Sequence, residues 1–117
     1  MFGRPTEEEI ANADYGAPIA QDEAEGVAVK WLGQFLDYPK EMTLWWEPVF
    51  PTWIRDPYSH GGTVHWGYRL QGLVKAKGGN SIYSTKREYY FLFYNGTLIT
   101  VHGQKNVDGK LHLRKLQ

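Results

Sequence analysis

Four histidines, a set of carboxylates and a run of bases among tyrosines are the side chains here that could do chemistry. His60, His65, His102 and His112 form neither an HxxxH spacing for a helix nor an HxH spacing for a strand, so no metal site is expected. Counting outward from the Asp108-Gly109 turn sets residue 102 opposite 115 and residue 105 opposite 112. That register keeps His102 and His112 apart. No serine stands in a GxSxG elbow. There is no phosphate loop and no dinucleotide fingerprint. There is no cysteine, which removes disulfides, zinc–thiolate sites, iron–sulfur clusters and thiol nucleophiles. No cofactor is expected.

Glycoside hydrolysis needs two carboxylates facing one cleft. After residue 25 the acids are Asp37, Glu41, Glu47, Asp56, Glu88 and Asp108. Asp37, Asp56 and Asp108 stand at element ends, where acids are ordinary. Glu88 lies inside a strand beside Tyr90 and Leu92. Its expected partner is a cross-strand lysine or arginine, and a raised pKa is the alternative. If the chain were a small enzyme with a pocket between helix and sheet, Tyr90, Glu88 and His65 would be its working residues.

A basic-aromatic patch remains. Lys75, Lys77, Lys86 and Arg87 flank a turn at residues 78–80, with Tyr83 between them and Arg69 further along. Bases interleaved with aromatics can hold an anionic ligand or a protein. They are too few for strong salt-dependent binding, so nucleic acid is not the expected partner. A second group, Trp45, Trp46, Trp53 and Tyr58, forms a candidate interface. Exposed tryptophan is costly unless something covers it, and a homodimer is one way to cover it.

The elements that must position these residues follow from pattern. The chain has 117 residues, 42% hydrophobic and 15% aromatic, which fits one globular domain. Residues 1–20 read as an irregular arm, and residues 21–117 as a single α+β domain. Thr6 with Glu9 three residues later predicts a capped helical turn, and Tyr15 is the expected anchor of the arm. Ala24, Val27, Ala28, Trp31, Leu32, Phe35 and Leu36 share one helical face, which predicts a helix over 21–37. Gly26 and Gly33 suggest close packing of that helix on a sheet. Residues 43–47 predict a short edge strand, with Trp45 and Trp46 on opposite faces.

A β-meander follows. Val64, Trp66, Tyr68, Leu70, Val74 and Ala76 alternate with His65, Arg69, Gln71, Lys75 and Lys77. Gly72 suggests a bulge or bend. Residues 82–94 are apolar on both faces, as in a central strand. Asn95-Gly96 and Asp108-Gly109 are type I′ hairpin signals. Strands over 97–106 and 110–116 complete the sheet. The expected architecture is a helix packed on the concave face of a curved antiparallel meander, a cystatin-like or nuclear-transport-factor-like wrap.

Charge is distributed unevenly. Thirteen bases balance thirteen acids. Residues 1–25 nevertheless carry seven acids and one base, and the rest carries twelve bases and six acids. The arm is therefore an expected internal counterweight to a basic sheet. No apolar run is long enough to span a membrane, and the start has no apolar leader segment. Met1 is read either as a native start or as one placed after a removed leader. Location is accordingly expected in the periplasm or envelope in the second case, and in the cytoplasm in the first.

The run Pro5-Thr6-Glu7-Glu8-Glu9-Ile10-Ala11-Asn12-Ala13-Asp14-Tyr15-Gly16 resembles the start of a loose group of small bacterial envelope proteins, often predicted lipoproteins. Asp56-Pro57, Trp66-Gly67-Tyr68, the 74–80 segment and Tyr89 through Gly96 resemble later pieces of that group in the same order. The proline that usually follows Tyr-Gly is delayed to Pro18. The resemblance implies a bacterial or phage-borne small domain, plausibly of the envelope, that acts by binding. It brings no catalytic motif. The favoured reading is thus a non-enzymatic binding or accessory domain acting by protein or anionic-ligand contact. An enzyme or ligand pocket is the alternative. An inhibitor or immunity-type protein from mobile DNA is a further one.

Overall fold

The alternation through the second half of the chain becomes a six-stranded open antiparallel sheet in the computed structural model, which describes residues 2–36, 42–77 and 84–117. Its strands are β1 (Thr43–Trp46), β2 (Phe50–Arg55), β3 (Val64–Lys77), β4 (Ser84–Tyr94), β5 (Thr97–Val107) and β6 (Lys110–Lys115). The path runs β1-β3-β4-β5-β6. β2 pairs with the same edge of β3 as β1, further towards the start of β3. β2 is thus a strand that the sequence pattern, which predicts one only over 43–47 in this region, does not show. Pro51 is tolerated because β2 is an edge strand, where a missing N–H leaves no ladder bond unmade.

Two helices precede the sheet, α1 (Glu7–Ala11) and α2 (Gln21–Phe35). The capping box at Thr6 and Glu9 forms with both reciprocal hydrogen bonds, at 2.9 and 3.2 Å. α2 crosses one face of the sheet, called here the inner face. It starts at the β1–β2 junction, where Gln21 holds the Val49 N–H at 2.6 Å and the Glu47 carbonyl at 3.1 Å. It ends where the Trp31 indole donates to Gln117 at 2.7 Å. Ala24, Ala28 and Leu32 are fully buried against Leu70, Val74, Phe91, Phe93 and Val101. The two alanines bring the helix close to the sheet, and full burial of a leucine such as Leu32 is worth roughly 2 kcal/mol. Phe35 stacks on Trp31 at 4.7 Å but remains 39% exposed, at the margin of the core.

The glycines play other parts than the sequence suggested. Gly26 has open space beside it, so it does not mark close packing. Gly72 keeps regular register between Trp46 and Tyr89, so it is not a bulge. The ring of Trp46 lies over it, in the space a side chain would fill. Gly103 is covered in the same way by Tyr89 and Leu116. The real irregularity lies between β4 and β5 at Leu92/Phe93. Both hairpin turns form as expected, with positive φ at Asn95, Gly96, Asp108 and Gly109.

One bend positions the candidate site. Pairing of β3 with β4 ends at Tyr68 opposite Phe93. At Gly67 the strand passes so near β4 that a Cβ would run into the Phe93 carbonyl. From there the β2–β3 hairpin folds over the outer face, which buries Ile54, Asp56, Leu92, Thr100 and His102. β4 is thus apolar on both faces because both are covered. Replacing Gly67 with alanine is expected to cost about 1–3 kcal/mol, since backbone must move. Gly26→Ala is expected to gain about 0.4–1 kcal/mol. Urea unfolding of the two variants checks the contrast.

Candidate functional site

Asp56 follows β2 and is 3% exposed. The folded-over hairpin places its carboxylate against β5 and β6. Oδ2 accepts from Lys115 Nζ at 2.7 Å and from His65 Nε2 at 2.9 Å. Oδ1 meets His102 Nε2 at 3.3 Å. Since the carboxylate can only accept, both imidazoles present Nε2–H to it. His102 is fully buried, and the Phe2 ring packs edge-on against it at 5.7 Å. Its Nδ1 has no hydrogen-bond partner among the described residues. The neutral ring leaves only a lone pair unsatisfied there, whereas a protonated ring would leave a buried donor.

Burial therefore lowers the His102 pKa below its ordinary 6.5, and the pull of Asp56 the other way does not recover it. Burial alone would raise the Asp56 pKa. The hydrogen bonds from Lys115, His65 and His102 outweigh that and hold it below 3.8. The cluster ties the hairpin to the far side of the sheet, and the arm closes over it. Arg55 is the clasp. Its guanidinium donates to Glu9 at 2.6 Å, to the Gly62 carbonyl at 2.6 Å, and to the Gly3 and Arg4 carbonyls at 3.3 Å. Tyr15 does anchor the arm, edge-on to Trp66 at 5.7 Å. Asp14 adds a 2.6 Å bond from the Tyr94 hydroxyl.

A second constellation lies on the same outer face. The Arg69 guanidinium stands over the rings of Phe50 and Tyr90, at 5.2 and 5.6 Å. It also donates to the Trp53 carbonyl at 3.2 Å. The Tyr90 hydroxyl donates to Glu88 at 2.8 Å. The expectation of a lysine or arginine partner for Glu88 is thus corrected to Tyr90. Burial, then the Glu88 bond, push the Tyr90 pKa up to about 12. His65, Glu88 and Tyr90 all stand on the face away from α2, and the centre of the helix–sheet interface is filled.

The patch predicted from sequence is split. Lys75 and Lys86 are directly opposite each other on β3 and β4, on the outer face. Arg87, one residue on, points to the inner side, with its Nη1 on the Lys86 carbonyl at 2.9 Å. Arg69 is engaged with Phe50 and Tyr90. Tyr83 and the Lys77 side chain lie outside the described residues. Of the candidate interface, Trp45 is 48% exposed on the outer face and Trp46 packs edge-on to Phe91 at 6.1 Å on the inner one. Trp53 pairs with Trp66, and Tyr58 is 76% exposed.

No family model matches this chain, and no curated protein or solved structure matches it. Among the described residues no set of three histidine, cysteine or acidic side chains is arranged to hold a metal. Sequence reasoning placed His102 opposite residue 115 correctly. It missed that Asp56 joins them, because the fold-over of β2–β3 has no local signature.

The cluster predicts acid sensitivity. A group whose pKa falls on folding contributes stability above its unfolded pKa and loses it as pH drops through the folded value. The His102 contribution is thus present above pH 6.5 and fades below it, and that of Asp56 fades below pH 3.8. Melting temperature against pH should flatten below 6.5 in His102→Gln. Asp56→Asn should cost about 2–3 kcal/mol near neutral pH, because it strands the buried His102 and leaves His65 and Lys115, which only partly reach water, without their carboxylate.

Proposed function

We propose that this chain is a non-enzymatic binding or accessory domain whose outer sheet face docks an anionic surface, in the first place that of a protein. The Lys75–Lys86 pair carries the reading. Like charges directly opposite each other on neighbouring strands destabilise a sheet, and among the described residues no carboxylate makes an ion pair with either. Trp45, 48% exposed, and Phe50, 41% exposed, stand on the same face. A surface that keeps mutual repulsion beside uncovered aromatic area is suited to an acidic partner with an apolar centre.

The arm, with the acids Glu7, Glu8, Glu9 and Asp14, does not compensate the lysines. Its contacts lie at the other end of β4, where Asp14 meets Tyr94 and Ala17 meets Asn95. Lys86 and Tyr94 are eight residues apart along β4, about 26 Å at strand rise. Physiological salt screens beyond about 8 Å. The acids of residues 7–14 are thus set apart from the lysine pair along the 48 Å length of the molecule.

The arm's resemblance to small bacterial envelope proteins supports a bacterial or phage-borne source and a periplasmic or envelope setting. The reading frame upstream of Met1 tests that setting, and a leader there would support it. The element order, a helix before a curved meander, supports a cystatin-like or nuclear-transport-factor-like wrap. A second copy of the chain is a competing cover for Trp45, and light scattering that gives a monomer at high concentration would remove it.

The Lys75→Glu change separates function from fold. It turns a like-charge pair into an opposite one, so stability should rise by about 0.5 kcal/mol. Binding to polyglutamate, followed by Trp45 emission, should weaken at least severalfold and lose its salt dependence in Lys75→Glu/Lys86→Glu. Unchanged polyglutamate affinity in the double variant would sink this assignment.

A further inference from the structure

A cleft of about 470 Å³ opens between the N-terminal arm and the β2–β3 hairpin, far from Lys75 and Lys86. Arg4, Pro5, Ile10, Tyr15, Trp53 and Trp66 line it. Its floor is the cross-strand pair Trp53 and Trp66, set side by side by the β2–β3 register. Tyr15 stands edge-on to Trp66, and Ile10 keeps 55% of its surface exposed at the rim. We propose that this cleft binds a proline-rich segment in the polyproline II conformation that carries an acidic residue beside its prolines.

Three observations point to that ligand. The volume is within the range of real ligand sites. The walls are flat rings plus Pro5 and Ile10, the kind of surface on which prolyl rings pack. The polar side-chain groups of the lining residues are two indole N–H groups, the Arg4 guanidinium and the Tyr15 hydroxyl, donors in each case and an acceptor as well only at Tyr15. Neither indole of the cleft donates to another described residue. A polyproline segment has the complementary chemistry, since its carbonyls accept and its prolyl nitrogens carry no hydrogen. A sugar presents hydroxyls that need acceptors as well as donors, and no carboxylate or amide side chain lines this cleft. Arg4 is the one charged lining residue. Its backbone carbonyl is held by Arg55, which fixes the position from which its side chain meets an acid. The reading does not depend on the lysine face and stands or falls separately from it.

The test uses the full chain labelled with ¹⁵N, whose indole N–H signals report each tryptophan, and three probes. These are hexaproline, hexaproline flanked by aspartates, and cellohexaose. The aspartate-flanked peptide should shift the Trp53 and Trp66 indole signals saturably and leave Trp45 and Trp46 in place. It should bind about tenfold more tightly than plain hexaproline, as one charge-assisted hydrogen bond provides. Arg4→Ala keeps the backbone contact to Arg55 and should erase that tenfold preference. Ile10→Asp, at an exposed position, should weaken the acidic peptide by at least about tenfold through repulsion and lost contact. The proposal is overturned if neither peptide saturates, if cellohexaose shifts the two indoles instead, or if Arg4→Ala leaves the preference intact.

Discussion

Asp56 belongs to the edge of the sheet and bonds to its far side. Its carboxylate joins His65 on β3, His102 on β5 and Lys115 on β6. A flat sheet could not bring these together, because β3 and β4 lie between β2 and β5. The hairpin must fold over, and the fold-over is possible because Gly67 lets two backbones approach. A buried ion cluster of this kind gives little net stability against an apolar replacement. What it gives here is position: the carboxylate is expensive to bury unless all its partners are in place, so one curvature is selected over others.

Curvature divides the molecule into two unlike layers. The inner face is an ordinary apolar core, closed by Ala24, Ala28 and Leu32 of α2 over Phe91, Phe93 and Leu70. Glycines 72 and 103 are part of that packing, since Trp46 and Tyr89 lie where their side chains would be. The outer face is mixed. At one end it is sealed by Ile54, Leu92 and His102 under Phe2. At the other end stand Trp45, 48% exposed, and the facing lysines, Lys75 half-buried and Lys86 exposed. The arm completes the sealed end through Arg55, which holds three arm positions and the Gly62 carbonyl at once.

This division gives the functional readings their places. The lysine pair and exposed aromatics lie where no described element pairs or packs over the outer face. The tryptophan cleft lies where the arm covers the hairpin incompletely. The two proposed sites lie far apart on the sheet, one at Lys75 and Lys86 and the other at Trp53 and Trp66. The His65–Asp56 pair looks like the start of a catalytic relay. Among the described residues no nucleophile bonds to His65, and His102 is fully buried.

Much of the fold was written in local pattern. The helical face of α2, the capping box at Thr6, both type I′ turns, the doubly apolar β4 and the pairing of residue 102 with 115 follow from spacings of a few residues, where chain geometry leaves little freedom. The opposite orientation of Trp45 and Trp46 follows from the two-residue period of a strand. Other features are long-range and were decided by tertiary structure. Asp56 and Lys115 are 59 residues apart, and as sequence Asp56 is only an acid before a proline. Lys75, Lys86 and Arg87 look like one patch until the register puts Arg87 on the other side. Residues 1–25 balance the rest of the chain in the sum of charges, yet Asp14 bonds to Tyr94, about 26 Å along β4 from Lys86 and beyond the reach of its field in salt. Local pattern sets which face a side chain takes; only the curvature of the folded sheet sets which faces meet.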